Sequence, residues 1–276
     1  MTCRRASTSV RRPAFALLAL VALAAMPLSA HDFWLAAENW RPAAGAPVTI
    51  TAGVGEKFPT RTSFRSRDNW LAEWRVIGAA GDVAVTKDFR RKELMMTTDV
   101  ALPSPGAYLG VALVTAQTIE MKGPEFTDYL KEEGLEDIIA ARKTAGEAEK
   151  TTKERYARYA KIAIRTGSGA AAHVTRPVGM RAEFVPATDP TAIKAGSPLT
   201  VQLLAEGKPV VGAMVSAVSE GQAIRAKTDA QGRATFTLDR DGGWLIKTVH
   251  MVRMAQPAEA EWESYWVTLA FHTARS

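Results

Sequence analysis

Four histidines are the residues of this sequence best suited to chemistry: His31, His173, His250 and His272. The single cysteine, Cys3, lies at the extreme amino terminus. There is no G-x-S-x-G elbow, no H-E-x-x-H pair and no Walker loop, and no two carboxylates are singled out by their spacing. The sequence gives no ground for catalysis, and the expectation is a protein that is not an enzyme.

His31 stands apart because the thirty residues before it read as an export leader. Arg4, Arg5, Arg11 and Arg12 form a positive front, Phe15 to Leu28 is almost wholly apolar, and Leu28-Ser29-Ala30 closes the run as a cleavage site. These are the three parts of a secretory signal peptide. The apolar stretch is shorter than the roughly 20 residues of a spanning helix. The sequence therefore predicts a mature chain that starts at His31, works in the periplasm or outside the cell, and has no transmembrane segment. Arg11-Arg12 leaves the twin-arginine and the general secretory routes both open.

Cleavage would give His31 a free α-amine with an ordinary pKa of about 7.7–8.0, which a metal ion can deprotonate near neutrality. Amine nitrogen and Nδ1 then chelate one ion, and a second imidazole adds a third nitrogen. His250 is the expected partner, in a strand where Trp244, Ile246, Thr248, His250 and Val252 share a face. Glu263, or Glu261 beside it, is the expected oxygen ligand or acceptor for an imidazole N–H. Such N/O sites suit Cu(II), Ni(II) or Zn(II). His272 falls opposite the apolar face of Val267, Leu269 and Phe271. His173 follows the small-residue run 167–172 and is expected in solvent. Neither is expected as a ligand.

The chain that must position these groups has 276 residues and a net charge of +6, from 35 basic and 29 acidic residues. Loss of the leader removes four arginines and leaves the mature charge near +2, so nucleic acid is not an expected partner. Without disulfides the mature chain depends on its apolar core, and it is long enough for one large or two ordinary domains.

Short Gly- and Pro-punctuated strands predict a mainly β protein of two sandwich domains, Ig-like or transthyretin-like. The first spans 31 to about 190, with a helical insert at about 125–161. In that insert Phe126, Leu130, Ile138 and Ile139 recur at helical intervals, and Tyr156, Tyr159 and Ala160 form a second apolar edge. The second spans about 195 to 276. Its pattern of Gly207-Lys208-Pro209-Val210-Val211-Gly212-Ala213 followed by Thr228-Asp229-Ala230-Gln231-Gly232 resembles the transthyretin-like and carboxypeptidase-regulatory-like sandwiches.

A wider resemblance runs through His31-Asp32-Phe33-Trp34-Leu35, Val54-Gly55-Glu56-Lys57-Phe58-Pro59, Phe126 to Leu135, Arg155 to Lys161, Val249-His250-Met251 and Glu263-Ser264-Tyr265-Trp266. Taken in this order, these segments resemble a bacterial family of exported domains of unknown function. Its members are often labelled the periplasmic component of a nickel or cobalt uptake system. The resemblance implies a periplasmic transition-metal-binding protein that delivers Ni(II) or Co(II) to a membrane metal transporter; the ligand set would also admit copper. The alternative is a metal-free exported module that docks another envelope protein.

Overall fold

The structure is a computed structural model that describes residues 31–55, 58–59, 70–85, 88–92, 95–255 and 259–274. The expected leader at 1–30 lies outside the described residues. The chain enters a strand directly after His31, because Phe33, Trp34 and Leu35 are all apolar and all find a core.

In chain order the elements begin with β1 (Asp32–Ala37), β2 (Pro47–Gly55), β3 (Leu71–Gly78), β4 (Gly81–Val83), β5 (Arg90–Lys92), β6 (Met95–Ala101) and β7 (Gly106–Met121). Two helices follow, α1 (Gly123–Glu132) and α2 (Glu136–Thr144), and then β8 (Thr152–Thr166), β9 (Ala182–Pro186) and β10 (Pro198–Ala205). The chain continues through β11 (Lys208–Pro209), β12 (Met214–Ser219), β13 (Gln222–Lys227), β14 (Arg233–Thr237), β15 (Gly243–Arg253) and β16 (Trp262–His272). The mainly β class expected from the punctuation is what the chain adopts. Among the described residues no helix is long and apolar enough to cross a membrane.

At the centre lies an eight-stranded sheet in the order β13-β12-β15-β16-β8-β7-β3-β4. Its two faces are covered differently, as strand alternation requires. On one face Ala112 of β7 and Ala160 and Ile162 of β8 pack with Phe33, Leu35 and Ile50 of the sheet β1-β2-β6-β5. The helices share this face, where Phe126 and Leu130 meet Val249, Met251 and Trp266. On the other face Leu109, Val111 and Tyr159 pack with Phe184, Leu199 and Val201, from the sheet formed by β9, β10, β11 and β14. The result is two sandwiches that share one middle layer.

Two expectations change here. The second α-helix ends at Thr144, and Thr152–Lys161, expected as the end of the helical insert, belongs to strand β8. This strand pairs antiparallel with β7 and parallel with β16, so it runs through the middle of the large sheet. Two of its charges are buried: Lys161 donates to Glu183 at 2.5 Å, and Arg158 lies over the rings of Tyr156 and Trp266. The second change concerns the boundary near 190–195. Strands from both sides of it pair within the one large sheet, so the sandwiches are fused along β8 and β16.

Candidate functional site

β1 fixes the chain directly after His31. Asp32 to Ala37 pair antiparallel with Gly55 to Ile50 of β2, and Thr268 Oγ1 donates to the Phe33 carbonyl at 2.8 Å. Asp32 follows His31 and points at the large sheet, where Lys247 Nζ lies 2.6 Å from its Oδ2. Glu133, the C-cap residue of α1, reaches the same ammonium at 3.9 Å. One lysine thus serves two buried carboxylates.

The electrostatics follow from that shortage of positive charge. Burial pushes the Asp32 carboxyl up, although Lys247 and, more distantly, Arg158 and His31 act to lower it. Burial and then the Asp32 charge push Glu133 up to about 7, against the pull of Lys247. Burial alone would lower the Lys247 ammonium, but Asp32 and Glu133 together hold it above its ordinary value.

His250 lies on the opposite side of the same sheet. Lys247 shares a face of β15 with Leu245 and Val249, which pack under β1 and the helices. His250 shares the other face with Ile246, and its ring centroid lies 5.9 Å from that of Tyr265, a residue of the core beneath β9 and β10. Burial holds the His250 imidazole below its ordinary pKa. By strand alternation the His250 side chain thus faces away from the side of the central sheet on which β1 packs, which does not favour the expected two-histidine chelate.

Glu263 does share a groove with His250, but it is already engaged. Its carboxylate accepts from Arg155, from Arg181 at 2.7 Å and from the Tyr265 hydroxyl at 2.9 Å. Burial would raise its pKa, yet these donors hold it low. A carboxylate with three donors has little lone-pair capacity left for a metal. Glu261 accepts from the Lys153 amide at 2.7 Å instead. Among the described residues no three His, Cys, Asp or Glu side chains come close enough to hold an ion. The donor set does not fit the expected metal site.

What the structure assembles around His250 is a groove of about 480 Å³ between the β10–β11 turn and the ends of β15 and β16. Arg181 spans it, bonded to Glu206 on one wall and Glu263 on the other, with its guanidinium 4.9 Å from the centroid of Tyr265. Lys208 and Arg253 stand on its rim. Arg181 also borders a second groove of about 490 Å³, with Arg155, Leu113 and Tyr159.

The other histidines stay apart from both places. His272 Nδ1 lies 2.9 Å from the Thr273 carbonyl, and its ring is 6.3 Å from that of Trp40. His173 was expected in solvent but is half-buried in a short 3-10 helix, Ala172–Thr175, where burial lowers its pKa.

Sequence reasoning missed Lys247, Glu133 and Arg181. A lone lysine inside the apolar strand Trp244-Leu245-Ile246-Lys247 was a usable signal, since an unpaired charge is rarely buried. Glu133 and Arg181 carry no local signal, because their partners lie far away in the chain.

No curated protein matches the chain. Among solved structures, the D0-D1 domains of intimin are similar over 87% of this chain and 97% of theirs, at 16% identity and a TM-score of 0.23. The Escherichia coli adhesin FdeC is similar over 86% of this chain and 63% of its own, at 15% identity and a TM-score of 0.23. A DUF4785-family protein of Legionella pneumophila is similar over 77% and 50%, at 10% identity and a TM-score of 0.24. No functional argument rests on likenesses this distant. Residues 28–252 match the family described as domain of unknown function DUF4198, and by that span the chain belongs to this family.

Proposed function

We propose that the mature protein is an exported, metal-free binding module that docks another protein of the cell envelope through the groove at His250. The observation that carries this reading is the state of Arg181: it is preorganised by Glu206, Glu263 and Tyr265, yet its side chain remains 42% exposed. Preorganised, partly exposed arginines beside an aromatic are the usual anchors of protein interfaces. Four cations border the two grooves, Arg155, Arg181, Lys208 and Arg253, as do three acids, Glu206, Glu259 and Glu263, and Arg253 is paired with Glu147.

Site-specific photocrosslinking in exporting cells tests this. A photoreactive residue at position 208 is expected to give one discrete adduct, weakened by salt and abolished by Arg181→Glu. The same residue at the exposed position 143 should give none. Equal labelling at both positions, or an adduct indifferent to Arg181, would sink the reading.

A second reading keeps the metal as cargo and drops His250. It is favoured by the pinning of β1, which holds the His31 end of the chain in place. Amine and imidazole of mature His31 would then contribute two nitrogens to a site completed by a membrane transporter, in line with the nickel or cobalt label that the family resemblance brings. Intact-mass measurement, native and denatured, reports the first residue and any retained ion together.

A further inference from the structure

We infer that the leader must be removed before β1 docks, and hence that the chain crosses the membrane unfolded and Arg11-Arg12 is not its export signal. The inference rests on the reading of an export leader cut between Ala30 and His31, and adds to it the order of events. Cleavage is hydrolysis of that one amide: water supplies OH to the Ala30 carbonyl carbon and a proton to the His31 nitrogen.

The argument starts from what lies just beyond the scissile bond. A peptidase binds its substrate as an extended strand and needs the backbone on both sides of the cut free to pair with its own cleft. In the folded protein that backbone is taken. Asp32, Phe33, Trp34 and Leu35 pair with Gly55, Val54, Gly53 and Ala52 of β2. Their exposures are 6%, 1%, 0% and 0%.

The side chains lock the strand further. Trp34 packs with Phe58, Leu245 and Ala270, while Phe33 and Leu35 enter the core of the first sandwich. Asp32 is held by Lys247, and the Phe33 carbonyl by Thr268. No loop separates the cut from this structure, since β1 begins at Asp32, one residue beyond His31. Access would require the strand to leave two cores, β2 and β16 together. Local fraying of a terminus does not reach that far, because fraying is confined to segments with few buried contacts.

The order follows. If the chain folded first and was exported folded, as the twin-arginine route requires, the peptidase would meet a bond whose following residues are already inside the protein. Cleavage on an unfolded, translocating chain meets no such barrier. The paired arginines then serve as ordinary positive charge at the front of the leader.

The test uses the full-length precursor. One portion is folded, with folding confirmed by the fluorescence of its buried tryptophans, and then given signal peptidase in detergent micelles. The other is diluted from urea directly into the same peptidase. The account expects the second to be cut between Ala30 and His31 and the first to be cut at least a hundredfold more slowly. In cells, Arg11→Lys with Arg12→Lys should be exported and processed at the wild-type rate. Equal cutting of the folded precursor, or loss of export in the double-lysine variant, would overturn the inference. Failure to cut between Ala30 and His31 in either portion would instead overturn the export reading beneath it.

Discussion

Lys247 Nζ lies 2.6 Å from Asp32 Oδ2, and this ion pair joins the second residue of the expected mature chain to the strand that carries His250 on its other face. The pair explains why a charged residue can follow His31 into a buried strand. It also shows where His31 and His250 stand relative to one another, because Lys247 and His250 are three residues apart on an alternating strand.

Removing the lysine leaves two buried carboxylates with no ammonium between them. Lys247→Met is expected to destabilise the protein by about 3–5 kcal/mol, the usual cost of orphaning a buried charge. Adding Asp32→Asn should recover part of the loss. Urea unfolding of the two variants checks both points.

Glu133 sets a pH dependence. Its carboxyl stands near 7 in the folded protein against an ordinary 4.5, so between those values the folded chain keeps a proton that the unfolded chain has released. Stability is fully present below about 4.5 and falls as pH rises through 7. The total is about 3 kcal/mol at roughly 1.4 kcal/mol per pKa unit. Asp32, also raised, adds in the same direction. Unfolding midpoints measured from pH 4.5 to 8.5 should decline, and Glu133→Gln should flatten the curve.

Gly123, at the start of α1, is a packing requirement. A Cβ there would stand 2.4 Å from the Ala148 carbonyl oxygen and 2.4 Å from the Glu149 carbonyl carbon, both rigid backbone. Gly123→Ala should cost about 1–3 kcal/mol by overpacking. Faster hydrogen exchange in α1 and α2 than in β8 would locate the damage.

Arg181 separates docking from folding. Its own side chain is 42% exposed, and the buried Glu263 keeps Arg155 and the Tyr265 hydroxyl as donors without it, so Arg181→Ala should change stability by no more than about 1 kcal/mol. Contact with the proposed envelope partner, read by the crosslink at position 208, should nevertheless fall at least tenfold. A large stability loss with docking intact would make Arg181 structural.

Much of the fold was legible in local pattern. The turn residues at Asp229 and Gly232 stand where expected, and Phe126 with Leu130 lies on the buried face of α1. The segment Thr152–Lys161 was not legible, since its two lysines, two arginines and glutamate favour helix by propensity. Only the distant partners, Glu183 and Trp266 among them, make it a central strand. The site failed for a related reason. Strand alternation put His250 on one face of β15, but nothing local said on which side of that strand β1 would pack. Lys247, three positions earlier, held that information.

The separation of His31 from His250 is tested most directly by titrating the mature protein and its His250→Ala variant with Ni(II), Co(II) and Cu(II) in a calorimeter. The account predicts that the variant behaves as the wild type with each ion, in affinity and stoichiometry. A stoichiometric site in the wild type that weakens tenfold or more on loss of His250 would contradict it.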